Sequence, residues 1–598
     1  MKKVTYINDM EISLQYSDIN NSIKSEISSY QDDGIFFVNC TFQSESAVFY
    51  PEVIIDLHFP LVNMHSCWTP AHHGHPSLSR SKGIPEWWPH FDSSLSCVAP
   101  VGAFYSQNGD NGLTFGLSET KDHVKVHAGT YEERREARVR FVLFSHSDEK
   151  KNRYSVLLRI DRRDIHFSES IKELSHWYDT AITSSPMPVP LDAYEPVYST
   201  WYAFHQNLFQ NEIEEQCQIA SKLGCKTLIL DDGWQTDDNR RGYKFCGDWD
   251  VSCKRFPDFK KHVENIHALG MKYILWLSVP FLGKESKKWD EFQGNLLHFS
   301  DLQQAGILDP RYKKVREYLK GTYIRLVSEY NLDGLKLDFI DEFNMAKAQG
   351  NALLPDPDRD YESLSAAVDC LLREVRQELT SLNENIMIEF RQRYIGPEIR
   401  NYGNIFRVHD CPGDSVMNRA SIADLRLFSG STAIHSDMFI WSLEDSIESI
   451  SLHFINTLFS VQQLSPNLKE LTATQIQLIQ HWIDFWKVNK NILIHGDIKA
   501  YYPEMQYPLI EGTYKNRQII TVTAPLLINL DTVNVTDTII VNGSMQNTIL
   551  VKMNGQTAVR ITTYDCLGLC HTRKEIVLSE GIHELNVPKS GYVRLSFK

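Results

Sequence analysis

Residues 333–339 read Asp333-Gly334-Leu335-Lys336-Leu337-Asp338-Phe339. An apolar run this short, opened by Asp-Gly, has the pattern of a strand buried on both faces, as in a parallel sheet. Two charges interrupt it. Lys336 and Asp338 are two apart, so they share one face of the strand. A charged pair inside a barrel or sheet costs free energy unless it is paired or used. Lys336 is expected to hold Asp338 ionised, and a positioned, ionised carboxylate is the form a nucleophile requires.

Outward from this strand the same pattern recurs. Strands are expected at Val197–Trp201, Thr227–Leu230, Lys272–Leu277, Ile386–Phe390, Ile405–His409, Thr432–His435 and, weakly, Leu458–Val461. Helical spacing falls between most of them, at Asn211–Leu223 with Asn211 as N-cap, Arg311–Tyr330, Asp360–Thr380, Glu444–Gln462 and Thr472–Asn489. Eight alternations over about 300 residues predict a (β/α)8 TIM barrel, with a doubly wound open sheet as the other arrangement.

The flanks differ. Residues 1–190 hold short aromatic and β-branched runs such as GIFFVNCTF and ARVRFVLFS, which predict an N-terminal β-sandwich. A Pro-rich stretch, 184–196, separates it from the barrel, assigned to 191–495. Residues 496–598 return to strands and predict a C-terminal antiparallel β-sandwich.

In a TIM barrel the reactive residues lie at the C-terminal ends of the strands. The second strand ends in Asp231-Asp232-Gly233-Trp234, two adjacent carboxylates that offer paired acceptors for hydroxyls or a metal. The sixth runs into Arg407-Val408-His409-Asp410-Cys411-Pro412-Gly413-Asp414. Asp410 could face Asp338 across the mouth, and two carboxylates from different strands are what glycoside cleavage needs. Asp414 also reads as the N-cap of a helix at 416–428. His435 and Asp437 end the seventh strand. Trp201, Trp234, Trp276 and Trp441 fall at or just after strand ends, where either sugar stacking or core packing would explain them.

Composition excludes other classes. Of 598 residues, 61 are basic and 76 acidic, a net charge of −15, and no Lys/Arg block stands out. A nucleic-acid partner or an anionic membrane is therefore disfavoured. The N-terminus MKKVTYINDMEISLQYSD lacks an apolar segment, so no signal peptide is expected, and a cytoplasmic location follows as an expectation. The 11 cysteines form no Cys-x-x-Cys pair and read as reduced thiols. Dinucleotide, P-loop, GxSxG and His-Glu-x-x-His signatures are absent.

Together these strand ends resemble glycoside hydrolase family 36 and its clan, the α-galactosidases and their relatives. Asp231-Asp232-Gly233-Trp234 resembles the family's sugar-binding motif, Lys336-Leu337-Asp338 its Lys-x-Asp nucleophile motif, and Arg407 with Asp410 and Asp414 its acid/base segment. The resemblance implies an N-terminal β-supersandwich before the barrel and a retaining exo-α-glycosidase, with Asp338 as nucleophile and Asp410 as acid/base. Asp231, Asp232, Trp201, Trp276, Lys336, Arg391, Arg407 and Asp414 would bind substrate, with Asp414 the alternative acid. The acid's pKa should be raised relative to Asp338. A carbohydrate substrate, no cofactor and no metal are implied, and a homo-oligomer is allowed. The sequence departs from the family at Leu337, at Trp276-Leu277-Ser278-Val279, and at Glu389-Phe390-Arg391-Gln392-Arg393, where many members are Gly-rich. The alternatives are another α-sugar such as α-N-acetylgalactosamine, a raffinose-synthase-like transglycosylase, and a silent sugar-binding protein.

Overall fold

The computed structural model describes all residues except 19–21, 71–83, 85–89, 146–148, 184, 239, 392–393, 531–532 and 598. Its centre is a ring of eight parallel strands. We label them β1 (Val197–Ser199), β2 (Thr227–Leu230), β3 (Lys272–Ser278), β4 (Gly334–Asp338), β5 (Met387–Arg391), β6 (Ile405–Arg407), β7 (Ala433–His435) and β8 (Gln463–Leu464). β8 pairs with β1. The gap between β7 and β8 is spanned by parallel bridges His435–Val461 and Phe439–Leu464. The eighth strand therefore lies beyond the expected Leu458–Val461, because Thr457–Ser460 is taken up by turns that end the preceding helix.

The helices around the ring are α1 (Gln210–Leu223), α2 (Phe259–Ala268), α3 (Lys313–Tyr330), α4 (Leu364–Leu382), α5 (Ser415–Phe428), α6 (Ile447–Asn456) and α7 (Ala473–Leu493). Their apolar stripes, such as Ile213, Cys217, Ala220 and Leu223 of α1, bury against the strands. Asn211 is not the cap of α1. The helix starts one residue earlier, after Phe209, with no side-chain cap. α6 is much shorter than the Glu444–Gln462 pattern suggested, starting where Ser446 caps it. Thr472 and Gln475 form a reciprocal capping box that starts α7.

Two six-stranded sheets form the N-terminal sandwich around their own core, which includes Ile12, Leu57, Phe115 and Val139. A helix at Phe167–Trp177, not expected from the sequence, carries the chain from this sandwich toward the barrel. The C-terminal domain stacks a seven-stranded and a three-stranded sheet, mostly antiparallel, with parallel pairs between 517–522 and 537–542 and between 527–530 and 548–553. Both flanking domains grip α5. Asp424 accepts from Trp68 Nε1 at 2.9 Å and from Tyr507 Oη at 2.6 Å. That clamp fixes the helix that follows the β6 loop, and with it Asp410 and Asp414.

Candidate active site

The C-terminal mouth of the ring gathers the charged residues. Asp338 ends β4, and its carboxylate is held on several sides. Trp276 Nε1 on β3 donates to Oδ2 at 3.1 Å, and the backbone N–H of Phe339 donates to Oδ1 at 2.8 Å. Arg391 Nε, at the end of β5, lies 2.8 Å from Oδ1, and Tyr394 Oη lies 3.4 Å from the same oxygen. Phe339 has φ +65°. A left-handed conformation in a bulky residue stores strain, and here it falls directly after the carboxylate at the end of β4.

Lys336 does not serve Asp338. Its Nζ donates to Asp231 Oδ2 at 2.6 Å, with the two side chains only 5% and 4% exposed. The expectation was wrong for a geometric reason. Residues two apart on a strand are about 6.6 Å apart along its axis. Lys336 therefore lies one layer below Asp338, and the stagger of the barrel brings the end of β2 level with it. The cation of Asp338 comes instead from the neighbouring strand.

Asp232 is buried and accepts from Gln206 Nε2 at 2.6 Å and Gln235 Nε2 at 2.7 Å. Each glutamine is oriented by its other end, since Gln206 Oε1 accepts from the Arg241 amide and Gln235 Oε1 from the Gly233 amide. Burial pushes the Asp232 carboxyl up to about 7, and the nearby Asp231 and Asp338 charges add to the rise against the two glutamine donors. Gly233 has φ +121°, and a Cβ there would sit 2.6 Å from Gln206 Cα. Only glycine lets the loop after β2 lie against the segment that supplies Gln206.

Arg407 at the end of β6 is buried and branches to two carboxylates, with Nη1 2.8 Å from Asp410 Oδ1 and 2.5 Å from Asp437 Oδ1. Asp437 also accepts from the Cys411 amide at 2.7 Å and from Tyr202 Oη at 2.7 Å. The two acids part company. Burial pushes Asp437 up to about 6, helped by the Asp410 charge and opposed by Arg407. Burial works the same way on Asp410, but Arg407, Arg391 and Lys336 outweigh it and hold the carboxyl below the usual range. The expected elevation of Asp410 is thus absent in the free protein, and the elevated neighbour is Asp437. Only Asp410 meets solvent, its side chain 43% exposed, whereas Asp437 is fully covered.

Other expectations resolve simply. Asp414 caps α5, accepting from the Met417 amide at 2.8 Å. Trp276 lies at the site. Trp201 is half-buried, with the Arg241 guanidinium 5.2 Å from its ring centre. Trp234 and Trp441 are core residues, Trp234 stacked on Trp249 and Phe259, Trp441 packed on Phe454 and His453. His435 lies below the mouth, its Nε2 2.7 Å from the Ala193 carbonyl oxygen. Glu389, fully buried beside it, accepts from Gln463 at 2.7 Å. Gln392 and Arg393 of the β5 segment lie outside the described residues. Sequence reading missed Gln206, Gln235, Tyr202 and Tyr394. Each follows a strand end, which is the one signal that could have found them. Among the described residues no group of three or more His, Cys, Asp and Glu side chains is arranged to hold a metal ion, and no helix is long and apolar enough to cross a membrane.

A parallel eight-stranded barrel lies between two β-sandwich domains, with its carboxylates and arginines concentrated at the C-terminal mouth, where such barrels place their active sites. The melibiase family model matches residues 167–390, from the helix before the barrel through β5. α-Galactosidase Mel36A of Lactobacillus acidophilus is 27% identical over 157 residues, covering 25% of this chain and 21% of that protein. α-Galactosidase AgaA of Geobacillus stearothermophilus is 25% identical over 199 residues, 32% of this chain and 26% of that protein. These matches thus span about a fifth to a quarter of the relatives' length. The crystal structure of AgaA aligns over 100% of this chain and 87% of its own with a TM-score of 0.66 at 13% identity. That of the Lactobacillus brevis α-galactosidase aligns over 99% and 82%, with a TM-score of 0.66 at 12% identity. The chain thus shares the fold of these α-galactosidase structures, and its residues 167–390 match the melibiase family model.

Proposed function

We propose that this protein is a glycoside hydrolase that removes terminal α-galactosyl residues from oligosaccharides or glycosides with retention of configuration. The observation that carries the reading is the Asp338 carboxylate, fixed at the end of β4 by Arg391, Trp276 and the Phe339 amide. Complexes of the Geobacillus AgaA enzyme with raffinose and stachyose support an α-galactoside as the substrate class.

In this mechanism Asp338 attacks the anomeric carbon and Asp410 gives a proton to the leaving oxygen, then takes one from the incoming water. Asp410 must first hold a proton that Arg407 opposes. A bound sugar removes solvent from the exposed carboxyl, and desolvation raises a carboxyl's proton affinity. Asp437 shares Arg407 and draws part of its charge away. In the second step the same arginine favours the base form. Asp231 and Asp232, braced by Lys336, Gln206 and Gln235, accept from hydroxyls of the terminal sugar. Trp201 supplies an aromatic face.

The test is a panel of aryl α- and β-glycosides, including the α-galactoside and its N-acetyl analogue, with wild type and Asp338→Ala. Turnover of the α-galactoside, abolished in the variant and restored by azide as a β-galactosyl azide, is expected. Turnover surviving in Asp338→Ala overturns the nucleophile. Turnover confined to another α-glycoside overturns the sugar.

A further inference from the structure

Arg391 is an unusual neighbour for an attacking carboxylate. Its Nε is 2.8 Å from Asp338 Oδ1, its side chain is 12% exposed, and its guanidinium carbon stands 4.7 Å from the Phe339 ring centre. Asp341 Oδ1 is 3.6 Å from Nη2, and the charge of Asp410 also acts on the guanidinium. Asp338 is therefore the nearer counter-charge of a nearly buried cation.

We propose that Arg391 sets the lifetime of the glycosyl-enzyme by stabilising Asp338 as a free carboxylate, a reading that rests on Asp338 being the nucleophile. In the first step a lone pair of Asp338 forms the bond to the anomeric carbon. The glycosidic bond breaks, and the leaving oxygen takes the proton of Asp410. Asp338 becomes a neutral ester, so Arg391 loses its nearer counter-charge while staying covered. In the second step water attacks the anomeric carbon and gives its proton to Asp410. The ester electrons return to Asp338, and the ion pair forms again. Both transition states have a partly broken bond to the carboxylate and similar charge, so Arg391 acts on them alike. Its differential effect falls on the ester, which it disfavours relative to the free acid. Arg391 is in this sense a positioning residue that pulls the enzyme back to its resting state and keeps the sugar from lingering.

The experiment compares wild type, Arg391→Met and Arg391→Lys on an aryl α-galactoside by rapid mixing and intact-protein mass spectrometry. Losing a charge-assisted contact to the carboxylate should slow the second step relative to the first by roughly tenfold or more. Arg391→Met should then release about one equivalent of phenol in a burst before slow turnover. Its kcat and KM should fall together with kcat/KM little changed, and a species heavier by one hexosyl unit should accumulate. Arg391→Lys should lie between. A fall in kcat/KM with KM unchanged or raised, and no adduct, overturns the proposal and leaves Arg391 a packing residue. Where Arg391→Met loses its folded circular-dichroism signature, the KM of Arg391→Lys decides, falling with kcat if the inference holds and rising if it fails. A wild type that turns over no α-glycoside, or an Asp338→Ala that still does, removes the proposed function itself, an outcome separate from any result on Arg391.

Discussion

Replacing Lys336 by Met tests which carboxylate the lysine serves. The change keeps the length of the side chain and removes its charge. Asp231 is then a buried carboxylate without its cation, in a cluster that already holds Asp232 and Asp338. Breaking one side of a buried ion pair costs about 3–5 kcal/mol, because the remaining charge keeps its desolvation penalty. The unfolding entropy of a barrel of roughly 300 residues, at about 2.1 cal/mol/K per residue, is about 0.6 kcal/mol/K. The barrel transition should therefore drop by about 5–8 °C in calorimetry at neutral pH. The double variant Lys336→Met, Asp231→Asn removes both charges and should recover about half of that loss or more. Lys336→Met combined with Asp338→Asn should instead show a smaller coupling than the pair with Asp231, since Lys336 and Asp338 share no direct contact. Coupling of Lys336 to Asp338 rather than to Asp231 would refute the assignment and restore the pairing expected from strand periodicity alone.

Asp414→Ala should cost about 1 kcal/mol through the lost cap of α5 and leave turnover of an aryl α-galactoside near wild type, whereas Asp410→Ala should lose turnover of a sugar leaving group; denaturant melts with paired assays check both. Gly233→Ala should destabilise the protein by roughly 1–3 kcal/mol and raise KM, because its Cβ meets the Gln206 backbone at φ +121°, and the same melts with Michaelis kinetics report it. Asp232 has a folded pKa of about 7, above the unfolded value. The folded state thus binds its proton more tightly, and this contribution to stability is full below pH about 4 and lost as pH rises toward 7. The stability-against-pH curve of Asp232→Asn should therefore lack a downward slope that wild type shows between pH 4 and 7, and an unchanged slope would count against the buried, elevated acid.

The barrel was legible because its strands are nearly all apolar, so each charge at a strand end stood out, and β2, β4 and β6 each carried such charges. The short β8 was misplaced because two residues of strand carry no periodicity, and the apolar Leu458–Val461 beside it looked more like a strand than Gln463–Leu464 does. The positions of Asp338, Asp410 and Asp231 could be read from single strands. Their partners could not, because hydrogen bonds at a barrel mouth run between strands far apart in sequence. Lys336 to Asp231 spans 105 positions and Trp276 to Asp338 spans 62.

That distinction also explains the elevated acid. Asp410 and Asp437 share the Arg407 cation, and only Asp410 also has the Arg391 and Lys336 charges to set against its burial. The exposed one, Asp410, keeps the charge, and the enclosed one, Asp437, moves toward the neutral form. A sugar seated against Asp410 removes that difference in exposure. If Asp410 is the acid, the pair should titrate as a unit, with the basic limb of the kcat/KM profile set by the Arg407 cluster. Asp437→Asn leaves Arg407 wholly to Asp410, holds the acid more firmly ionised, and should move the basic limb of kcat/KM to lower pH. A basic limb that stays in place would mean that Asp437 does not share its cation during catalysis.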